Sequence, residues 1–171
     1  MSTNRPKIII PLQTIDILVE LTTFSLLLFS WGYSWSNYST LPDTIPTHFN
    51  ASGIADDFGD KSTIWILPIL FLTTYLLLFI VNRFPEYHNY MVKITTENAY
   101  RNYKFSTQTL RLINLFCAVL FAYINYFTIQ YALQSQQQLG QWFLPTVIAF
   151  TVLLPIFLFF RSKHINSKQH G

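Results

Sequence analysis

Apolar positions gather into four long stretches, at about 11–35, 63–82, 110–133 and 142–160, with more polar segments between them. A helix of roughly 20 such residues is long enough to cross a bilayer, where the backbone finds no water and must satisfy its own hydrogen bonds. The pattern predicts an all-α membrane protein, a four-transmembrane-helix bundle forming a single domain over 1–171. The loop at 36–62 and the loop at 83–109 are long, and the connector QSQQQLGQ is short and uncharged. Pro11 suits a first helical turn. Pro68, Pro145 and Pro155 fall in or near later spans and are expected to kink them.

The composition, 51% hydrophobic and 18% aromatic with 11% charged residues, is that of a chain in lipid and not of a soluble globule. The net charge of +3 comes from basic residues that flank apolar stretches instead of forming a basic face, which argues against nucleic acid as a partner. Cys117, the single cysteine, excludes an intrachain disulfide and a cysteine metal motif. Arg5 and Lys7 before the first apolar stretch resemble the start of a secretory signal. That stretch is too long, however, and ends in WGYSWS without a small-residue cleavage site, so it reads as a retained anchor.

Orientation follows from the excess of lysine and arginine in cytoplasmic loops. Arg5, Lys7, Arg83, Lys93, Arg101, Lys104, Arg111, Arg161, Lys163 and Lys168 fall on one side of a four-span arrangement, and only Lys61 on the other. Both termini and the 83–109 loop are therefore expected to be cytoplasmic, in a bacterial cytoplasmic (inner) membrane. Trp31, Trp35, Trp65 and Trp142 then lie together at the outer interface, where indole buries its ring and hydrates its N–H.

In the cytoplasmic loop, Thr95 or Thr96 is placed to cap a helix that starts at ENAYRNYKF and continues into the third span, its polar part lying at the interface. In the outer loop, Ile45, Thr47 and Phe49 alternate with Pro46, His48 and Asn50 before the turn-prone NASG, which predicts a small β-hairpin. Asn37 and Asn50 each begin a glycosylation sequon, a frequent chance match to which no weight is attached.

The outer-loop block LPDTIPTHFNASGIADDFGDKST, with Pro42 and Pro46 followed by His48, Asn50, Gly53 and Asp57, resembles a bacterial membrane family, domain of unknown function sixteen-forty-eight. In SdpI-like immunity proteins that domain forms the N-terminal part. The segment ITTENAYRNYKFSTQTLRLINLF is similar to the family's entry into its third span. The resemblance implies a membrane protein without established enzymatic activity, whose better-known members protect against a secreted toxin and signal its presence. Set beside those longer proteins, the chain is expected to lack a second helical module after the fourth span.

No G-x-S-x-G, H-E-x-x-H, phosphate-binding loop or CxxC occurs, so neither an enzyme nor a cofactor is indicated. His48 with Asp43, Asp56 and Asp57 offers ligand-type side chains without a recognised metal spacing. Four aspartates and one lysine make the 41–61 loop acidic, suited to a secreted cationic peptide or protein ligand, and two prolines stiffen it. The candidate recognition set is Pro42, Asp43, Pro46, His48, Asn50, Gly53, Asp56 and Asp57, with the QSQQQLGQ connector outside it. The competing reading folds Phe49, Ile54 and Phe58 down as a lid over the helix ends.

Asp16 and Glu20 lie one turn apart on the first span, and Glu20 falls between the inner third and the midplane. An ionised carboxylate there costs at least about 2.5 kcal/mol without a partner. Three readings stay open: a helix clamp pairing Asp16 with Arg111 and Glu20 with Asn114, a proton or cation relay in a small ion-coupled transporter or accessory subunit, and snorkelling to the interface. Thr22, Thr23, Thr73, Thr74, Asn125 and Thr151 are expected to join helices to one another, and a homo-oligomer is a further expectation. The topology predicts that a cytoplasmic reporter fused after His164 is active and a periplasmic one inactive; the reverse pattern overturns it.

Overall fold

The computed structural model of the protein describes residues 5–135 and 138–167; Lys168, His170 and part of the QSQQQLGQ connector lie outside the described residues. The helices are α1 (Thr14–Asn37), α2 (Ile66–Val81), α3 (Ala99–Gln130) and α4 (Phe143–Ser167). With the 3-10 turn Lys61–Trp65 leading into α2 and a π-helical turn, Tyr131–Ser135, ending α3, all four are long and apolar enough to cross a membrane. Strands β1 (Thr44–Phe49) and β2 (Ala55–Asp60) form an antiparallel hairpin between α1 and α2. The expected architecture of four spanning helices with a small hairpin is borne out.

α3 is the central helix. It packs against α1 on one side and α2 on the other, and the buried residues of α1, namely Asp16, Thr23, Leu27, Ser30 and Ser34, recur at helical spacing along a single stripe facing it. Lipid tails are as apolar as leucine, so helices in a membrane associate through close packing and polar contacts instead of hydrophobic exclusion. Both are present here. Ala118 and Ala122, one turn apart on α3, let Leu27 and Phe71 close in from α1 and α2. Near the hairpin, Asn125 donates through Nδ2 to Ser34 Oγ at 3.0 Å and to the Ser30 carbonyl at 3.2 Å. Of the polar side chains expected to join helices, only Asn125 does so: the hydroxyls of Thr22, Thr23, Thr73 and Thr151 donate to carbonyls of their own helices.

At the end of the bundle away from the hairpin, α3 extends well beyond the apolar stretch read at 110–133. Its cap is also not the expected one. Asn98 precedes the helix and ties the turn, accepting the Thr95 N–H through Oδ1 and donating to the Lys93 carbonyl, both at 2.9 Å, while the Thr95 hydroxyl is buried without a hydrogen bond. The polar first part of α3 does not simply lie at an interface. Tyr103 is fully buried against Ile94 and Ala99, and its hydroxyl donates to the Pro6 carbonyl at 3.1 Å. Arg5 clasps the same region, donating to the carbonyls of Glu86 and His88 and lying over the Tyr90 ring. Burial pushes the Tyr90 phenol up to about 12, so it stays a donor to the Pro85 carbonyl at any physiological pH.

α4 is peripheral, and none of its described residues is buried. It meets α3 through the stacked pair Phe116 and Phe150 and through reciprocal amide bonds between Asn102 and Asn166, at 3.0 and 3.1 Å. On either side of the Phe116 contact it stands off, leaving cavities of about 460 and 490 Å³. The prolines act less than expected: Pro68 and Pro145 occupy first turns of α2 and α4, where a missing N–H costs nothing, and only Pro155 interrupts a helix interior.

The hairpin tip closes onto the segment that enters α4. Gly53 has φ of 76°, its carbonyl accepts the Leu139 N–H at 3.1 Å, and a Cβ added to it would lie 3.0 Å from the Gly140 nitrogen. Both the left-handed backbone and the close approach require glycine. Gly53→Ala is expected to destabilise the protein by about 1–2 kcal/mol, read as a lower melting temperature in detergent; melting like the wild type would show that the tip is not docked.

Candidate functional site

The hairpin is held at three levels. At its root, Ile45 is 1% exposed and plugs a cluster of Leu41, Ile64, Ile129 and Ala132, while Lys61 donates to Asp43 Oδ1 at 2.9 Å. Beside it, Asp60 caps the 3-10 turn by accepting the Ser62 N–H, and hydrogen bonding from Ser62, through its side chain first and its backbone second, lowers the Asp60 pKa. At mid-height the Tyr131 ring lies between Phe49 and Phe58, with centroids 6.3 and 6.1 Å away. At the tip Asn50 Oδ1 accepts the N–H groups of Ser52 and Ile54, which builds the turn that presents Gly53 to Leu139.

These contacts divide the candidate recognition residues into two groups. Pro46 is buried opposite Phe58, and Asn50 and Gly53 shape the turn, so these three are structural. Pro42, Asp43, His48, Asp56 and Asp57 remain exposed. The Nδ1–H of His48 donates to Asp56 Oδ1 over 2.5 Å, and Asp57 accepts the Thr47 hydroxyl at 3.2 Å. The acidic side chains thus have separate partners. Among the described residues no three His, Cys, Asp or Glu side chains gather as a metal site would require.

The lid reading needs a different anchor. Ile54 and Phe58 stay 42% and 48% exposed, and Ile45, at a strand position whose apolar neighbours are not visible in the alternation, is the residue that seals the helix ends. The connector is also not separate from the hairpin, because Leu139 and Gly140 meet its tip and Leu139 is tied back to α3 by the Tyr123 hydroxyl at 2.6 Å. Trp31, Trp35 and Tyr38 gather around Trp65 at this end, with Trp142 exposed at the start of α4.

The second candidate lies within the bundle towards the opposite end. Asp16 is 5% exposed and accepts the Gln13 N–H through Oδ2 at 2.8 Å, which also sets a negative charge at the N-terminus of α1. Arg111 Nε donates to Glu20 Oε1 at 2.7 Å, and a terminal nitrogen of the same guanidinium lies 3.8 Å from Asp16 Oδ1. The expected pairing of Glu20 with Asn114 does not form. A guanidinium is long enough to reach both carboxylates of consecutive turns, whereas the short Asn114 side chain faces α2 and donates to the Tyr75 carbonyl at 3.5 Å.

A void of about 10 Å³ opens beside this cluster, lined among others by Glu20, Thr23, Asn82, Arg111 and Asn114. Asn82 Oδ1 and Asn114 Oδ1 are buried without a donor. A larger cavity, about 450 Å³, reaches Glu20, Asn82 and Arg111 from the end carrying Lys7, Arg83 and Glu86. Asn82 was legible only as the end of an apolar stretch. Its shared depth with Glu20, one helix away, is the signal that could have marked it. Two carboxylates on one guanidinium leave one negative charge uncompensated when all three are ionised, and such a charge within a bilayer costs at least about 2.5 kcal/mol.

Residues 25–72, from within α1 through the hairpin into α2, match the family model described as Domain of unknown function (DUF1648). An uncharacterized protein of Archaeoglobus fulgidus is 28% identical over 153 residues, which covers 81% of this chain and 82% of that protein. No solved structure matches the chain. The matched segment contains the whole hairpin and its Tyr38, Trp65 and Ile45 footing, so the resemblance seen in the loop is shown for that stretch.

Proposed function

We propose that this multi-pass membrane protein is a non-enzymatic recognition protein, with both termini cytoplasmic, whose hairpin meets a secreted cationic peptide or protein at the outer face of a prokaryotic cytoplasmic membrane. Toxin immunity and envelope signalling are the roles that need such a surface. The observation that carries the reading is the hairpin's double character: root, middle and tip are fixed to α3 and the connector, yet Asp43, His48, Asp56 and Asp57 stay exposed. A surface ordered before binding loses little conformational entropy when a partner docks. Acidic side chains beside the partly exposed Phe58 and Ile54 suit a basic, amphipathic polypeptide.

A second reading, a small ion-coupled transporter or accessory subunit, is favoured by the two carboxylates that share Arg111 within the bundle and by the cavity that reaches Glu20. The two readings differ in which residues matter. For the recognition reading, partner capture and melting temperature are measured for Asp43→Asn, His48→Ala and the double variant Asp56→Asn with Asp57→Asn. The double variant is expected to lose about tenfold in affinity for a cationic partner while melting within a few degrees of the wild type. Unchanged capture in all three, or loss only in proportion to lost folded protein, overturns the recognition reading and leaves the hairpin as a lid.

A further inference from the structure

We propose that the void between α1, α2 and α3 binds one small monovalent cation of sodium size, held by the side-chain carbonyl oxygens of Asn82 and Asn114 and the carboxylate of Glu20. This is independent of the hairpin, and it names the ion site that the transporter reading would need. Four features of the structure point the same way.

Apart from the already engaged guanidinium, the polar residues that line the void are Glu20, Thr23, Tyr75, Asn82 and Asn114, each of which carries an oxygen. Asn82 Oδ1 and Asn114 Oδ1 are buried acceptors without a donor, and Asn114 is only 8% exposed. The orientation of Asn114 follows from its neighbour: Nδ2 donates to the Tyr75 carbonyl, and a flipped amide would set oxygen against oxygen there. Thr23 spends its hydroxyl proton on the Val19 carbonyl, which leaves its oxygen able only to accept. Hard oxygen donors without thiolate or imidazole select an alkali or alkaline-earth ion over a transition metal.

Charge decides between the remaining ions. Glu20, the one carboxylate lining the void, already meets the Arg111 guanidinium, so the site suits one positive charge better than two. Size agrees, since about 10 Å³ is room for about one water molecule and admits an ion stripped of its hydration shell, with protein oxygens replacing that shell. The route in is the larger cavity, which shares Glu20, Asn82 and Arg111 with the void. Lys7 and Arg83 line it together with Glu86, so entry of a cation is slowed there.

The test is thermal melting of the full chain in detergent, in sodium chloride against choline chloride at equal ionic strength, together with binding of radioactive sodium. Sodium at a hundredfold excess over its dissociation constant is expected to raise the melting temperature by roughly 5–10 °C. Asn114→Leu and Asn82→Ala are expected to remove that increment and the bound sodium while melting in choline near the wild type. Should Asn114→Leu fail to fold, Asn82→Ala at the cavity edge carries the same comparison. Equal melting in both salts without bound sodium overturns the site. So does an increment that follows pH alone and disappears in Glu20→Gln, since Glu20 would then hold a proton. Sodium binding without sodium flux in liposomes upholds the site and removes the transporter reading alone.

Discussion

Arg111 reaches across from α3 to two carboxylates on α1, and the arrangement of the bundle depends on that contact more than on any apolar surface. In lipid, leucine and phenylalanine do not discriminate between a neighbouring helix and an acyl chain. A carboxylate does discriminate, because at its depth only a positive partner or a proton relieves the cost of its charge. Glu20 and Asp16 therefore fix the rotation and the height of α1 against α3 at one end, and the Asn125 contacts to Ser30 and Ser34 repeat the constraint near the other. Between them, Ala118 and Ala122 permit the close approach that two polar contacts on one stripe demand.

The hairpin stands on this pair of helices. Ile45 seals against Ile129 and Ala132 of α3 and its π turn, and Tyr131 supports both strands, so a change in the height of α1 relative to α3 would be felt at the hairpin. The tip contact with Leu139 and Gly140 joins the hairpin to the entry of α4, a helix whose other contacts with α3 include Phe116, Tyr123 and Asn102. The acidic surface, the polar seam and the peripheral helix thus form one mechanical unit, with the charged cluster at one end and the exposed aspartates at the other.

The spans and the hairpin were legible because each leaves a local mark: uninterrupted apolar length for the helices, and period-two alternation ending in a glycine turn for Ile45 to Gly53. The charged cluster was legible in membership but not in pairing. Asp16, Glu20, Arg111 and Asn114 all stand out as polar residues within apolar stretches, yet which of them meet depends on side-chain reach and on the face each helix presents. Asn114 faces α2, and nothing near it in the chain says so. The start of α3 was legible in ENAYRNYKF, but the burial of Asn102, Tyr103 and Thr107 was not, because they look like polar interface chemistry. Tyr103 meets Pro6, a contact between residues nearly a hundred positions apart, and Asn102 meets Asn166 of α4. Gly53 against Gly140 was invisible for the same reason.

The central claim is that Arg111 couples α1 to α3 through Glu20, and a double-mutant cycle measures that coupling directly. Unfolding free energies in detergent are compared for wild type, Arg111→Gln, Glu20→Gln and the double variant. Arg111→Gln is predicted to cost more than Glu20→Gln, because it strands two carboxylates, and the pair is predicted to show a coupling energy of about 1–3 kcal/mol. Losses that simply add, with a coupling below about 0.5 kcal/mol, would contradict the account.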